Sequence, residues 1–128
     1  MYKNLTIASV LGLLGIILGA FGAHALKNKL SIDAFDSFQT AIRYQMYHVV
    51  VLLVVNLFNG FSDKQKRVLS TLFLLGVVLF SGSIYAIYLL GVSAKSIWFV
   101  TPLGGLFFVV GWILMTLYFT KKLSKINS

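Results

Sequence analysis

Four long apolar stretches occupy most of this chain and restrict its fold more than any other feature. They cover residues 5–26, 44–58, 68–90 and 101–120. An α-helix rises about 1.5 Å per residue and the hydrocarbon core of a bilayer is about 30 Å thick, so each stretch crosses that core, or nearly does, as a helix. The pattern predicts an all-α integral membrane four-helix bundle.

The composition supports a membrane protein and leaves no room for a separate soluble domain. The mean hydropathy is +0.91 and 11% of the residues are charged. An ordinary globular domain with this hydropathy and so few charged residues would be insoluble in water. A chain of 128 residues accommodates one four-helix unit, so residues 1–128 are predicted to form a single transmembrane domain.

Residue content and placement exclude several function classes. The chain has no cysteine, which excludes disulfides, iron–sulfur clusters, thiolate catalysis and thiolate zinc sites. The net charge of +8 comes mainly from basic residues beside helix ends, and no basic patch carries interleaved aromatics, so no nucleic-acid partner is predicted. The lipid bilayer is the predicted partner, and a membrane-protein partner or a homo-oligomer is left open.

The basic residues also predict an orientation. Four spans place both termini on the same side of the membrane. Seven Lys and Arg residues lie on that side: Lys3, Lys64, Lys66, Arg67, Lys121, Lys122 and Lys125. The opposite side carries fewer, partly offset by Asp33 and Asp36. Because short cytoplasmic loops retain Lys and Arg, we expect a multi-pass protein of the bacterial plasma (inner) membrane with both termini in the cytoplasm.

Residues 31–43 match neither a loop nor a span. Ser31 is suited to cap a helix and Asp33 would lie in its first turn, where the helix dipole favours an acid. The apolar residues of the segment fall largely on one face. The pattern predicts a short amphipathic interfacial helix between helices 1 and 2. The alternative is an extension of the second span.

Small residues follow one face of the first helix and recur in the fourth. They are Gly12, Gly15, Gly19, Gly22 and Ala23, and then Gly104 and Gly105. Small residues one helical turn apart let helix backbones approach each other in lipid. Packing within one chain is favoured over a dimer seam, because a four-span bundle needs such contacts in any case.

Polar side chains from all four spans are predicted to converge at the outward-facing end, and the inner half is predicted to be almost purely apolar. These candidate ligand-binding residues are His24, Tyr44, Gln45, Tyr47, His48, Ser81, Ser83, Tyr85 and Thr101. Polar groups in lipid need partners, and ionisable ones mark candidate functional sites.

Two histidines on neighbouring helices leave several chemistries open. They suit a metal ion, a haem, a quinone or a lipid headgroup. The simplest alternative is that the polar groups join the helices by hydrogen bonds of about 0.6 kcal/mol each. An outer-leaflet acyl-transfer enzyme would need His24 or His48 as the base and Ser81 or Ser83 as the nucleophile. No catalytic motif is present, so no catalytic residue, metal site or cofactor is assigned.

Four motifs occur in order along the chain. They read GAFGAHALK at 19–27, YQMYH at 44–48, FSGSIY at 80–85 and TPLGG at 101–105, followed by Gly111-Trp112. In these motifs the chain resembles the small bacterial inner-membrane family catalogued as domain of unknown function number 423, which includes YwdK-like and YgdD-like proteins. The resemblance implies a four-span bundle in the plasma membrane and carries over no activity. Ala25 stands where the first motif often has glycine.

Together these patterns predict a non-enzymatic accessory or interaction subunit of the membrane, or a binder of a lipid-like molecule through an outward-facing polar pocket. Histidine-based binding of a metal, a haem or a quinone is one alternative. Lipid or acyl transfer by a histidine and a serine is the other.

Overall fold

The computed structural model describes residues 1–127, and four long helices account for most of them. The helices are α1 (Tyr2–Leu26), α2 (Ile32–Leu57), α3 (Asp63–Leu90) and α4 (Val100–Ile126), all long and apolar enough to cross a membrane. Even the shortest, with 25 residues, is about 37 Å long and exceeds the hydrocarbon core of about 30 Å. The described residues contain no β-strand. The predicted all-α, four-helix membrane architecture is confirmed.

The interfacial helix predicted for residues 31–43 is wrong, because this segment is the first half of α2. Ser31 caps the helix: its Oγ accepts a hydrogen bond from the backbone N–H of Ala34 at 3.2 Å. From there the helix continues to Leu57. Phe38 and Ala41 are 0% exposed, so the apolar face of the segment packs inside the bundle. The observed structure is the alternative, an extension of the second span.

Local capping also extends α3 beyond its apolar stretch. Ser62 and Gln65 form a capping box, in which each side chain accepts a hydrogen bond from the backbone N–H of the other, at 3.2 and 3.0 Å. The helix therefore begins at Asp63 rather than at residue 68. At its other end Gly91 has a φ of 70°, a left-handed conformation that costs glycine little because it has no Cβ.

Consecutive helices are antiparallel neighbours, because the connections between them are short. α1 packs on α2, α2 on α3 and α3 on α4, whereas the pairs α1–α3 and α2–α4 are less closely packed. One buried cluster draws on all four helices and the α2–α3 loop: Ala8, Leu52, Val55, Phe61, Leu69, Phe73, Val77 and Phe108. Because α1 and α3, and likewise α2 and α4, are less closely packed, grooves lie between them.

The glycines of α1 lie against α2 of the same chain. Each faces one α2 side chain: Gly12 faces Val49, Gly15 faces Met46, Gly19 faces Ile42 and Gly22 faces Phe38. A methyl group built on Gly12 would lie 3.4 Å from the nearest α2 atom, and one built on Gly15 would lie only 2.5 Å from the Met46 sulfur. A side chain at Gly15 would therefore require the flexible Met46 side chain to move. Ala23 follows, half-buried, in the last turn of α1.

Glycine also sets the distance between α3 and α4. A Cβ at Gly104 would overlap the backbone of Phe80, so the two backbones meet there. Gly111 makes similar room for the Phe73 ring, which would lie 2.7 Å from an added methyl group. Gly105 differs, since its added methyl group would lie 3.9 Å from the Phe80 ring, an ordinary contact.

Replacing Gly104 by Ala should lower the free energy of unfolding by about 1–3 kcal/mol, the usual cost of overpacking, because the new methyl group must displace the Phe80 backbone. Gly105→Ala is the matched control and should change it by less than about 0.5 kcal/mol. Reversible unfolding in bicelles measures both. Equal losses in the two variants would contradict the close backbone approach.

Candidate functional site

Gln45 joins three helices through one buried amide. The side chain is 2% exposed. Its Nε2 donates to the backbone carbonyl of Leu11 in α1 at 2.7 Å, and its Oε1 accepts from the Tyr85 hydroxyl of α3 at 2.6 Å. Gly15 permits this contact, because a methyl group there would lie 3.3 Å from the Gln45 amide nitrogen. The amide therefore fixes α2 between α1 and α3.

His48 uses both of its ring nitrogens within the protein. Nδ1–H donates to the Tyr44 carbonyl at 2.7 Å, and Nε2 accepts from the Trp112 indole N–H at 3.1 Å. The ring is 5% exposed and stacks on Phe108, with centroids 3.7 Å apart. This pattern requires the neutral Nδ1–H tautomer. To accept a proton or bind a metal, Nε2 would first have to lose its hydrogen bond from the Trp112 indole N–H.

The start of α2 at Ile32 does not change the level of His48 relative to the apolar part of the helix. Asp36 and Arg43, in the added first half, are exposed and lie 3.6 Å apart, and exposed charges are costly in the hydrocarbon core. The apolar part of α2 therefore still begins near Tyr44, with His48 about one turn further along. The position of His48 near the outer face stays a prediction.

The two serines are bonded to backbone and to threonine rather than to histidine. The Ser81 hydroxyl donates to the Ala41 carbonyl of α2 at 2.6 Å. The Ser83 hydroxyl lies 2.9 Å from the Phe80 carbonyl and shares a short hydrogen bond with Thr101, which ties α3 to the first turn of α4. Among residues 1–127 no hydrogen bond joins either serine to a histidine.

His24, Tyr44 and Tyr47 differ from the other candidates in being exposed. His24 lies in the last turn of α1, and its side chain forms no hydrogen bond in the described range. Tyr47 is 58% exposed on α2. The other six candidates form separate contacts between helices. The assignment of all nine as ligand-binding residues stays a prediction.

The largest cavity is an apolar groove between α2 and α4, with a volume of about 950 Å³. We call it the α2–α4 groove. It is lined by Tyr44, Met46, Tyr47, His48, Val50, Val51, Gly105, Phe108, Val109, Trp112 and Ile113. The stacked rings of His48 and Phe108 and the Trp112 indole contribute to its wall. Sequence reasoning named three of these residues as ligand-binding but did not identify Phe108 or Trp112, because their meeting with His48 depends on how α4 crosses α2.

Two tyrosine hydroxyls at the groove have no protein partner. In residues 1–127 neither the Tyr44 nor the Tyr47 hydroxyl is hydrogen-bonded to another residue. Tyr44 is 39% exposed, and its ring stacks on Phe80 with centroids 4.8 Å apart. The groove is almost wholly apolar, and two of the tyrosines that line it carry hydroxyls without a partner in residues 1–127.

Comparison with known proteins assigns the chain to a protein family. The model of the family described as "Protein of unknown function (DUF423)" matches residues 18–105. The chain belongs to this family. It is 38% identical over 87% of its length to a UPF0382 membrane protein of Haemophilus influenzae, of which it covers 88%. It is 38% identical to the inner membrane protein YgdD of Escherichia coli, over 87% of this chain and 84% of that protein.

A Gram-positive relative matches over a similar length. The membrane protein YwdK of Bacillus subtilis is 34% identical, with 91% of this chain and 95% of that protein aligned. No solved structure is a significant match to the chain. The resemblance drawn from the four motifs is confirmed, and the protein is a DUF423 membrane protein.

The end of the bundle that bears the termini carries a polar network, so the prediction that this half is almost purely apolar is wrong. Asn56 is 1% exposed. Its amide donates to the Leu52 carbonyl at 2.8 Å and to the Ser70 hydroxyl at 2.9 Å, and accepts from Asn4 at 3.1 Å. The Lys66 ammonium donates to the Asn56 carbonyl at 2.8 Å. The signal for this network in the sequence was Asn56 itself, which lies two residues before the end of the second apolar stretch.

Gln45 and Tyr85 should show measurable energetic coupling. A double-mutant cycle with Gln45→Leu and Tyr85→Phe should give about 0.6 kcal/mol, the average for interhelical hydrogen bonds in membranes, because the two side chains share a bond of 2.6 Å. Tyr88→Phe is the matched control on α3, since Tyr88 has no bond to Gln45 in the described structure. Unfolding titrations of the single and double variants give both couplings. A coupling no larger than that of the Tyr88 cycle would count against the bond.

Proposed function

We propose that this protein binds a lipid-like molecule, an acyl or isoprenoid chain bearing a hydrogen-bond acceptor, in the α2–α4 groove. The observation that carries the proposal is an almost wholly apolar groove of about 950 Å³, lined by two tyrosines whose hydroxyls have no partner in residues 1–127. Small-molecule sites are typically concave, mostly apolar, about 300–1,000 Å³ in volume and equipped with a few polar groups.

The level of the tyrosines supports a polar group on the ligand. Tyr44 directly follows Arg43, whose exposed side chain lies 3.6 Å from Asp36, and charged groups are costly in the hydrocarbon core. The tyrosines therefore lie toward the polar edge of the bilayer, where a lipid-like molecule carries its polar group. A ligand carbonyl, ester or quinone oxygen at that level would accept from the hydroxyls.

The length of the groove favours a small molecule over a partner helix. On α4 the lining runs from Gly105 to Ile113, which is 8 residue steps or about 12 Å. A helix of a partner subunit or of a second copy would contact the bundle over much of the bilayer core of about 30 Å. A bent chain or a ring system fits the shorter groove.

The histidine-based alternatives lack supporting geometry. In the described residues no group of three His, Cys, Asp or Glu residues could hold a metal ion, and both nitrogens of His48 are already bonded. Acyl transfer needs a serine within about 2.6–3.2 Å of its base, and in residues 1–127 Ser81 and Ser83 bond elsewhere. Quinone binding falls within the proposed class of ligand, because it needs only the groove and the tyrosines.

Filling the groove should displace the ligand. In native mass spectrometry of protein extracted in mild detergent from its own membrane, we expect a reproducible extra mass of lipid size. Val109→Trp places an indole in the groove that Val109 lines, and should reduce the ligand-bound fraction at least about fivefold. Tyr44→Phe combined with Tyr47→Phe should reduce it by removing both donors.

The matched control is Val110→Trp. Val110 is the next residue of α4, is also exposed and does not line the groove, so this variant should keep the extra mass. A bare wild-type chain, an equal loss in the two tryptophan variants, or co-purification of a membrane protein in place of the ligand would overturn the proposal.

We further propose that the protein lies in the bacterial plasma membrane with both termini in the cytoplasm, since its Lys and Arg residues are concentrated at the end that bears the termini. The chain has no cysteine, so a single introduced cysteine reports its own side. Ser93→Cys, in the exposed α3–α4 loop, should react with an impermeant maleimide on intact spheroplasts. Ser124→Cys should react only after lysis. The reverse pattern would invert the orientation.

A further inference from the structure

A second cavity, of about 700 Å³, lies at the opposite face and end of the bundle, between the first turns of α1 and of α3. We call it the inner cleft. Lys3 and Asn4 line it from α1, and Asp63, Lys66 and Arg67 line it from α3. Nothing in the proposed function uses it, because the α2–α4 groove shares no lining residue with it.

The side chains of the inner cleft carry an excess of positive charge. Lys3, Lys66 and Arg67 are opposed by Asp63 alone, and among the described residues none of the three cations forms an ion pair with a carboxylate. Lys66 is occupied by its bond of 2.8 Å to the Asn56 carbonyl. Lys3 and Arg67 are exposed and are free to bind an anion that enters the cleft.

Apolar side chains of α1 and α3 lie beyond the cleft along the bundle, and we call this surface the α1–α3 track. Ile7 and Leu74 form its apolar wall. Further along the same two helices, another cavity of about 310 Å³ is lined by Leu11, Leu14 and Val78, among others, and ends at Tyr85. From Leu74 to Tyr85 is 11 residue steps, or about 16 Å. That length is about half the thickness of the bilayer core, the depth of one leaflet.

We propose that the inner cleft binds an anionic phospholipid, with its phosphate between Lys3 and Arg67 and one acyl chain along the track between α1 and α3. Basic pockets between transmembrane helices are suited to anionic headgroups. A free phosphate ester would satisfy the same two cations. The apolar track distinguishes a phospholipid from a free phosphate ester. Only the phospholipid has an acyl chain that gains free energy by covering the track.

The test uses the full chain in mild detergent and native mass spectrometry with added lipid. Phosphatidylglycerol should bind at least about tenfold more tightly than phosphatidylcholine, given the usual attraction of two basic side chains for an anionic headgroup. The double variant K3Q/R67Q should lose this preference. Lys66 is left intact because its bond to Asn56 supports the fold.

The matched control is K121Q/K122Q, which removes two positive charges from α4 at the same end of the bundle but outside the inner cleft. It should keep the preference. Equal losses in the two double variants would show a general surface-charge effect and overturn the proposal. Displacement of phosphatidylglycerol by an equal concentration of glycerol 3-phosphate would also overturn it.

The two proposed sites can be tested separately. Val109→Trp fills the α2–α4 groove and should leave the binding of phosphatidylglycerol unchanged, because Val109 lines neither the inner cleft nor the α1–α3 track. A loss of phosphatidylglycerol in this variant would mean that the anionic lipid occupies the groove, and would contradict the cleft assignment.

Discussion

The buried amide of Gln45, with Gly15 of α1 beside it, holds α2 between α1 and α3. The amide bonds to α1 on one side and to α3 on the other, and Gly15 leaves the space that it needs. In lipid there is no hydrophobic drive between helices, so close packing and hydrogen bonds must supply their association. With α2 fixed in this way, His48 and Tyr44 face α4 and the groove beside it.

The same constraint explains why most of the polar residues act in separate pairs. Each pair of consecutive helices, and the pair α2–α4, has its own polar contact, such as Ser81 with the Ala41 carbonyl or His48 with Trp112. In residues 1–127 no buried side-chain polar atom lacks a partner, as a membrane interior requires. The Tyr44 and Tyr47 hydroxyls have no partner in these residues, and for this reason the groove, rather than the histidines, carries the proposed function.

Much of the fold could be predicted from the sequence, because an apolar run long enough to cross a membrane can form few structures other than a transmembrane helix. The segment of residues 31–43 could not be assigned, since an apolar face that lies on a membrane and one that packs on α1 and α3 have the same periodicity. The partners of His48 were also missed, because the meeting of α2 with Trp112 depends on helix crossing. The Asn56 network was missed because that residue lies at the edge of a span.

A crystal structure grown in a lipidic phase from protein with its native lipids tests the central proposal most directly. We expect elongated density in the α2–α4 groove, with a polar end within about 3.2 Å of the Tyr44 or Tyr47 hydroxyl. A groove closed by α4, or an empty one with both hydroxyls bonded to the protein, would contradict it.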